Sequence, residues 1–373
     1  MPTKSTLKVM LIAGARPNFM KVAPLMKAIA DRSFRNDSEL PVIEACFVHT
    51  GQHYDEAMSE VFFRELGIRP PDINMGVGSD SHAVQTAKIM TAFEGVCQEH
   101  KPDWVVVVGD VNSTMACTLV CSKMGIRVAH VEAGLRSFDR TMPEEINRLV
   151  TDALADLLLT PSEDADENLR REGVPTERIV CVGNIMIDTL VDNLPKARQS
   201  RLLEDLDLSD REFVYVTLHR PSNVDHRITL TEIIGQLSQL SKHLPVVFPM
   251  HPRTRRMCAE FGIPLHDGGG FRILGPIGYL DSLCLTQNAR LVLTDSGGLQ
   301  EESTYFRTPC LTLRSNTERP ITITLGSNKL TSLERLSADI DDLRRRERQL
   351  GRVPPLWDGR TATRVLEAVA ARS

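Results

Sequence analysis

At 373 residues the chain exceeds one ordinary hydrophobic core, and a prior of roughly 150 residues per domain points to two domains. Lys and Arg number 44 against 49 Asp and Glu, a net charge of −5, and no basic stripe accompanies it. Arg344 to Arg348 alternates its charges on a solvated helix face, so nucleic acid is excluded as the default partner.

Eight cysteines lie mostly inside apolar runs without a Cys-x-x-Cys pair, which reads as reduced, buried thiols and not as a metal or disulfide framework. The apolar run Val9 to Ala13 is cut by Gly14 and Arg16, and no segment reaches spanning length. The expectation is a soluble, untargeted, cytoplasmic protein with no membrane partner.

In chain order, short β-rich runs alternate with amphipathic stretches, the signature of βαβ units and a parallel sheet. Strands are predicted at Leu7 to Ala13, Val42 to Val48, Trp104 to Val108, Arg127 to Val131, Leu157 to Thr160 and Ile179 to Val182. Helices are predicted at Lys21 to Ala30, Glu56 to Leu66, His82 to His100, Ser113 to Met124, Pro143 to Ala155 and Ser162 to Glu172. Residues 194 to 211 turn polar and charged around a few leucines and read as a connection.

A second alternation comes next. Its strands are Phe213 to Leu218, Val246 to Pro249, Arg272 to Leu274, Leu291 to Leu293 and Cys310 to Leu313, with helices at Ile228 to Leu240, Arg255 to Phe261, Tyr279 to Thr286, Gly298 to Tyr305 and Ile340 to Arg348. The tail after Pro355, with Trp357 and a helix from Thr361 to Ala371, is long enough to dock back on the first half. The expectation is an α/β protein of two Rossmann-like domains with parallel sheets facing an interdomain cleft, residues 1–193 with 356–373 and residues 194–355.

Ligands of open parallel sheets bind beyond the carboxyl ends of strands. Gly14, Arg16, Lys21, Gln52, Asp110 and Glu132 come after strands of the first half, and His219, Arg220, His251, Asp295, Ser296, Gly297 and Gly298 after those of the second. Each has a plain structural reading. Ser296 suits an N-cap; Pro143-Glu144-Glu145 suits any helix start, with Glu144 and Arg148 able to pair at i, i+4. Asp110 could cap a helix, and His219 could be a structural imidazole.

The functional reading gathers Asp110, Glu132, Glu144 and His219 beside the amides of Gly297 and Gly298, which hold a diphosphate, with Glu302 taking ribose hydroxyls. No G-x-G-x-x-G comes after the first strand and no Walker loop appears, so the phosphate carrier is expected to be neither NAD nor ATP. Carboxylates plus histidine suit removal of a carbon-bound proton and expulsion of a diphosphate, cations neutralising the departing charge.

The blocks GARPNFMKVAPL, TGQHYD, GDVNST, HVEAGLRS, MPEEINR, TLHRPSN, LTDSGGLQEE and TERPITITLGSN, spanning residues 14 to 328 in this order, closely resemble the non-hydrolysing UDP-N-acetylglucosamine 2-epimerases. The resemblance implies a GT-B arrangement, a cytoplasmic homodimer, a UDP-sugar partner, and no NAD or metal cofactor. It implies interconversion of UDP-GlcNAc and UDP-ManNAc through anti elimination of UDP, a 2-acetamidoglucal intermediate and re-addition of UDP, supplying ManNAc-type sugars for surface polysaccharide.

Carried over by motif, the catalytic set falls on Asp110, Glu132, Glu144 and His219. Substrate contacts fall on Arg16, Lys21, Ser296, Gly297, Gly298 and Glu302, with Arg136, Arg220, His251 and Arg319 as further candidates. Gln52, Arg220 and His251 match an allosteric UDP-GlcNAc site, but Asp55 stands where glutamine is common and His251-Pro252-Arg253 departs from H-x-N-P, which counts against allosteric control. Asn18 departs from the usual G-T-R-P-E. The alternatives are an epimerase of a C3- or C6-modified UDP-HexNAc, a hydrolysing variant releasing ManNAc, a GT-B glycosyltransferase, and a catalytically silent UDP-sugar sensor.

Overall fold

The computed structural model describes residues 6–34, 41–52, 67–265, 268–345 and 351–372. The chain divides into two compact units, one running up to Thr189 and resuming at Pro355, the other Leu190–Pro354.

The first unit is a seven-stranded parallel sheet of β1 (Thr6–Ala13), β2 (Val42–His49), β3 (Ile73–Asn74), β4 (Trp104–Val108), β5 (Arg127–Val131), β6 (Leu157–Thr160) and β7 (Ile179–Cys181), in the order β3-β2-β1-β4-β5-β6-β7. Apolar runs such as Trp104–Val108 form strands because both faces are covered, and all five of those residues are buried. One face packs Phe19, Val22 and Leu25 of the helix Arg16–Phe34; the other packs Ile89, Phe93, Cys117 and Cys121 of the helices His82–His100 and Asn112–Met124.

The second unit repeats the topology with six parallel strands: β8 (Val214–Thr217), β9 (Val246–Pro249), β10 (Phe271–Leu274), β11 (Leu291–Thr294), β12 (Cys310–Leu313) and β13 (Asn328–Thr331), ordered β10-β9-β8-β11-β12-β13. In each sheet the strand order reverses beside the first strand, so the switch points lie between β1 and β4 and between β8 and β11. That is where an open α/β sheet leaves a crevice at its carboxyl edge.

The tail returns to the first unit. The Trp357 indole donates to the Pro161 carbonyl at 3.0 Å, and Val365, Leu366 and Val369 join the core. Asp188 accepts the amides of Thr361 and Ala362 at 3.0 and 2.7 Å, satisfying donors that a helix start leaves open.

Several elements differ from expectation. β3 is too short to show a periodicity, and β13 lies inside a Thr-rich polar stretch. The helix Ile185–Ala197 enters the segment read as a connection and carries Pro195 in its last turn, two residues before it ends. The last predicted helix of the second half starts earlier, as Leu333–Arg345, and the predicted helix Glu56 to Leu66 lies outside the described residues. All eight cysteines are free thiols. Among the described residues no helix is long and apolar enough to cross a membrane.

Candidate active site

In the first unit the turn after β1 is closed by Asn18. Its side-chain oxygen accepts the amides of Gly14 and Ala15, both at 3.0 Å, and its nitrogen donates to the Val108 carbonyl at 3.1 Å. The departure at position 18 therefore has a local use: a carboxylate could not donate to that carbonyl. Lys21, one turn into the helix, is buried and forms an ion pair with Glu132.

Glu132 leaves β5 at a φ of +71°, a conformation sparsely populated by non-glycine residues and typical of side chains held for function. Gly109 makes room for the pair. A Cβ there would lie 2.7 Å from the Lys21 ammonium and 3.5 Å from a Glu132 oxygen.

Asp110, next to Gly109, is held by Arg148 at 2.5 Å. The same guanidinium grips Glu145, with contacts of 3.0 and 2.6 Å. Glu145 also accepts the amides of Ser137 and Phe138, both at 3.0 Å. Burial opposes ionisation of Glu145, but the bonds from Ser137 and Arg148 outweigh it and hold its carboxyl below the usual range. Glu144 is exposed on the first turn of the helix Pro143–Leu154, and Arg148 pairs with Glu145 and Asp110 in place of the expected i, i+4 bond to Glu144. The stretch from Ser137 to Thr141 is tied down by Glu145 and by Asp139, whose carboxylate accepts the Thr141 amide at 3.0 Å.

In the second unit His219 and Asp295 flank the switch point. Asp295 is fully buried and accepts the amides of His219 and Arg220 at 3.0 and 2.9 Å, the Asn223 amide group at 3.0 Å, and the His219 ring through Nδ1 at 2.9 Å. Burial raises its pKa, but these donors win and lower it below the ordinary carboxylate value. With Nδ1 donating to a carboxylate, Nε2 of His219 is left as the proton-accepting nitrogen. The His251 ring lies 5.7 Å away, centroid to centroid, and its Nδ1 caps the helix Pro252–Glu260 by accepting the Arg253 amide at 3.2 Å.

Ser296 occupies the N-cap position of the helix Gly297–Phe306, but its hydroxyl makes no capping bond. Arg319 packs over Gly297: a Cβ there would meet one of its nitrogens at 2.8 Å, so the guanidinium would have to shift. Arg319 is bonded to Glu301 at 2.6 Å and to Glu318 at 3.1 Å; Glu318 also takes Arg314 at 2.8 Å and lies 3.8 Å from Arg220. Burial works against the Glu318 charge, yet Arg319 and Arg314 hold its carboxyl far below the usual range. Three guanidiniums thus share two carboxylates beside a positive helix end, which is an anion-binding arrangement. Glu302, one turn further and buried, is pushed up to about 8 by burial and then by Glu301, so its surroundings favour the protonated form.

The profile of the UDP-N-acetylglucosamine 2-epimerase family matches residues 36–370. The chain belongs to that family. Among its relatives, the UDP-N-acetylglucosamine 2-epimerase of Methanocaldococcus jannaschii is 39% identical over 96% of this chain and 98% of its own. A UDP-2,3-diacetamido-2,3-dideoxy-D-glucuronate 2-epimerase of Pseudomonas aeruginosa is also 39% identical, over 88% and 89%. The crystal structure of the M. jannaschii UDP-GlcNAc 2-epimerase in complex with UDP-GlcNAc and UDP superimposes with a TM-score of 0.85 at 38% identity, covering 98% of this chain and 100% of that one. The protein is accordingly an epimerase, an isomerase acting on carbohydrates, and its two parallel-sheet units are of the GT-B type.

Against this family background the nominated residues fall into groups. Lys21, Glu132 and Asp110 converge at the carboxyl edge of the first sheet, and His219, Arg220, Ser296, Gly297, Gly298, Glu302 and Arg319 at that of the second. Arg16 is the first residue of its helix, and its side chain lies outside the description. Arg136 is 2% exposed, fork-bonded to Glu172 at 2.7 and 2.6 Å and paired with Asp152 at 2.7 Å. Those carboxylates outweigh burial and raise its pKa, and the contacts described for it are to the interior of the first unit.

Gln52 is also turned to structure, its side-chain oxygen accepting the Ser113 amide and hydroxyl at 3.0 and 2.8 Å. Asp55 lies outside the described residues. Sequence reasoning misses the roles of Asp295, Arg148, Glu145, Glu318 and Gly109. Their partners are far away in the chain, 76 residues between His219 and Asp295, so no local spacing reveals them. The one available signal is that several of them adjoin the end of a strand.

Proposed function

We propose that the protein interconverts UDP-GlcNAc and UDP-ManNAc without hydrolysis. The observation that carries this reading is the division of labour between the two carboxyl edges: buried or tethered carboxylates on the first, and an oriented histidine beside an arginine-rich helix start on the second.

In this reading the amides of Gly297 and Gly298, the Ser296 hydroxyl and the Arg319 and Arg220 guanidiniums hold the diphosphate, with Arg16 as a further cation, and neutral Glu302 meets the ribose hydroxyls. A carboxylate of the set Asp110, Glu132 and Glu144 takes the proton from C2. The electron pair of that C–H bond becomes the C1=C2 double bond of 2-acetamidoglucal as the C1–O bond breaks. UDP leaves with that bond's electron pair, its charge met by the arginines and by His219. Delivery of a proton to the other face of C2 and re-addition of UDP at C1 complete the inversion, so no atom is gained or lost.

Lys21 serves here as the counter-ion of Glu132, and Asp295 keeps the His219 tautomer. The protein is proposed to act as a cytoplasmic homodimer that supplies ManNAc-type sugars for surface polysaccharide. A second reading, an epimerase of a UDP-HexNAc modified at C3 or C6, is favoured by the Pseudomonas relative, which is as identical to this chain as the M. jannaschii enzyme is.

NMR of the purified protein with UDP-GlcNAc and, separately, with its 3-acetamido glucuronate counterpart tests the assignment. UDP-ManNAc as the product supports the first reading, and turnover of only the modified sugar supports the second. Free ManNAc with UDP would replace both by a hydrolysing enzyme, and inertness towards both sugars would leave a silent sensor.

A further inference from the structure

The turn joining Glu132 to the helix Pro143–Leu154 places Phe138 in two unfavourable situations at once. Its φ is +58°, in the left-handed region that an aromatic side chain disfavours and that glycine or asparagine occupies readily. Its ring is 73% exposed, and it is the only aromatic among the exposed large hydrophobic side chains of the described residues.

The conformation is enforced from below. Glu145, itself 1% exposed, accepts the Phe138 and Ser137 amides at 3.0 Å each, and Ser137 Oγ accepts the Asp139 amide at 3.3 Å. The guanidinium that fixes Glu145 also holds Asp110 at 2.5 Å. A turn that only reversed the chain would do better with glycine at this position and no apolar surface in water. Backbone strain held in place by a buried ionic clamp, shared with a nominated catalytic carboxylate, marks a side chain presented to a ligand.

We propose that Phe138 is a specificity-determining residue for the epimerase reaction, its ring forming an apolar platform for the hexosamine moiety of the nucleotide sugar. Pyranose rings carry hydroxyls at their rim and polarised C–H bonds on their faces; the electron-rich face of a phenyl ring accepts those C–H bonds, and its edge accommodates the N-acetyl methyl. A platform for the sugar implies that UDP, which lacks the hexosamine, binds independently of the ring. The inference rests on the epimerase reading and adds the sugar contact.

Glycine makes the test decisive, because Phe138→Gly removes the ring and relieves the strain together. Wild type, Phe138→Gly and Phe138→Tyr would be compared by thermal unfolding, by calorimetric Kd for UDP and for UDP-GlcNAc, and by steady-state kinetics. The expected result is a Phe138→Gly variant at least as stable as wild type, with a Kd for UDP within twofold, a Kd and KM for UDP-GlcNAc raised tenfold or more, and Phe138→Tyr within threefold throughout.

A Phe138→Gly variant with wild-type affinity for UDP-GlcNAc would overturn the proposal. So would a parallel loss of UDP affinity, or a loss explained by a change of oligomeric state in light scattering, since the ring would then serve the fold or a protein interface. Should wild type bind UDP-GlcNAc without turning it over, the epimerase reading fails while the ratio of the two dissociation constants still decides the role of Phe138.

Discussion

Replacing Asp295 by asparagine probes the second unit's chemistry with almost no change of volume. The carboxylate is fully buried and receives the His219 ring at 2.9 Å together with the amides of His219 and Arg220 and the Asn223 side chain. Asparagine supplies one acceptor oxygen and one amide group, so at least one of these buried donors faces another donor, at a cost of about 1–3 kcal/mol in stability.

The larger effect is on the ring. With a donor opposite Nδ1, imidazole prefers the tautomer that protonates Nε2, and the nitrogen that should exchange protons with the leaving group is blocked. Loss of a buried carboxylate from such a dyad costs about 10³–10⁴ in turnover, equivalent to about 4–5.5 kcal/mol of transition-state stabilisation. Of the groups assigned to the diphosphate, Arg220 is bonded to the Asp295 carboxylate only through its backbone amide, so the Kd for UDP should change far less than turnover does.

Acid stability supplies an independent readout. A lowered folded pKa means that Asp295 stabilises the fold above the ordinary carboxylate pKa and loses that contribution as pH falls through its folded value. The variant should therefore show a shallower loss of stability in acid. Steady-state kinetics, UDP calorimetry and unfolding in acid and at neutral pH measure all three quantities. A variant with kcat close to that of wild type would refute the dyad.

Further outcomes concern the other buried charges. Lys21→Met removes the ammonium paired with the buried Glu132 and should destabilise the protein by about 3–5 kcal/mol, with turnover falling; adding Glu132→Gln should recover much of the stability in a double-mutant cycle, and additive costs would deny the ion pair. Gly109→Ala forces a Cβ against the Lys21 ammonium at positive φ, so it should cost about 1 kcal/mol in stability and lower kcat, with UDP affinity retained.

Glu302, ordinarily near 4.5 and raised to about 8, binds a proton in the folded state that the unfolded chain has released. Stability should therefore decline as pH rises from 4.5 to 8, and Glu302→Gln, which keeps the neutral shape, should flatten that decline in a series of unfolding curves. His49, lowered to about 4 by burial, has the opposite sign: the unfolded chain takes up its proton first, so stability should fall as pH drops from 6.5 to 4, and calorimetric melting of His49→Gln should lack that component.

Much of the fold is legible in the chain because a strand covered on both faces must be written as an apolar run. Val105 to Val108 and Leu157 to Leu159 announce themselves, and the residues directly after each run fall at a carboxyl edge. Glu132, Asp110 and His219 are found by that rule alone. Two-residue β3 and Thr-rich β13 escape it because their pairing is set by neighbours and not by their own hydrophobicity.

Positions are easier to read than partners. Arg148 at i+4 from Glu144 suggests a helix-surface pair, yet a buried Glu145 at i−3 and a part-exposed Asp110 thirty-eight residues upstream take the guanidinium instead; the desolvated Glu145 gains more from it than the exposed Glu144 would. Arg136 looks like a ligand contact for the same reason: its charge is visible in the sequence, whereas Glu172 and Asp152, which neutralise it, are brought together only by the fold. Glu302 reads as a helix-start acid, and only its burial beside Glu301 makes it neutral.

The central claim is that the protein breaks and remakes the C2–H bond of a UDP-linked N-acetylhexosamine. Incubating UDP-GlcNAc with the protein in deuterium oxide and following C2 by NMR tests it directly. The account predicts that the C2 proton signal disappears as UDP-ManNAc grows in, with deuterium in both epimers at equilibrium. Retention of the C2 proton in all recovered nucleotide sugar would contradict it.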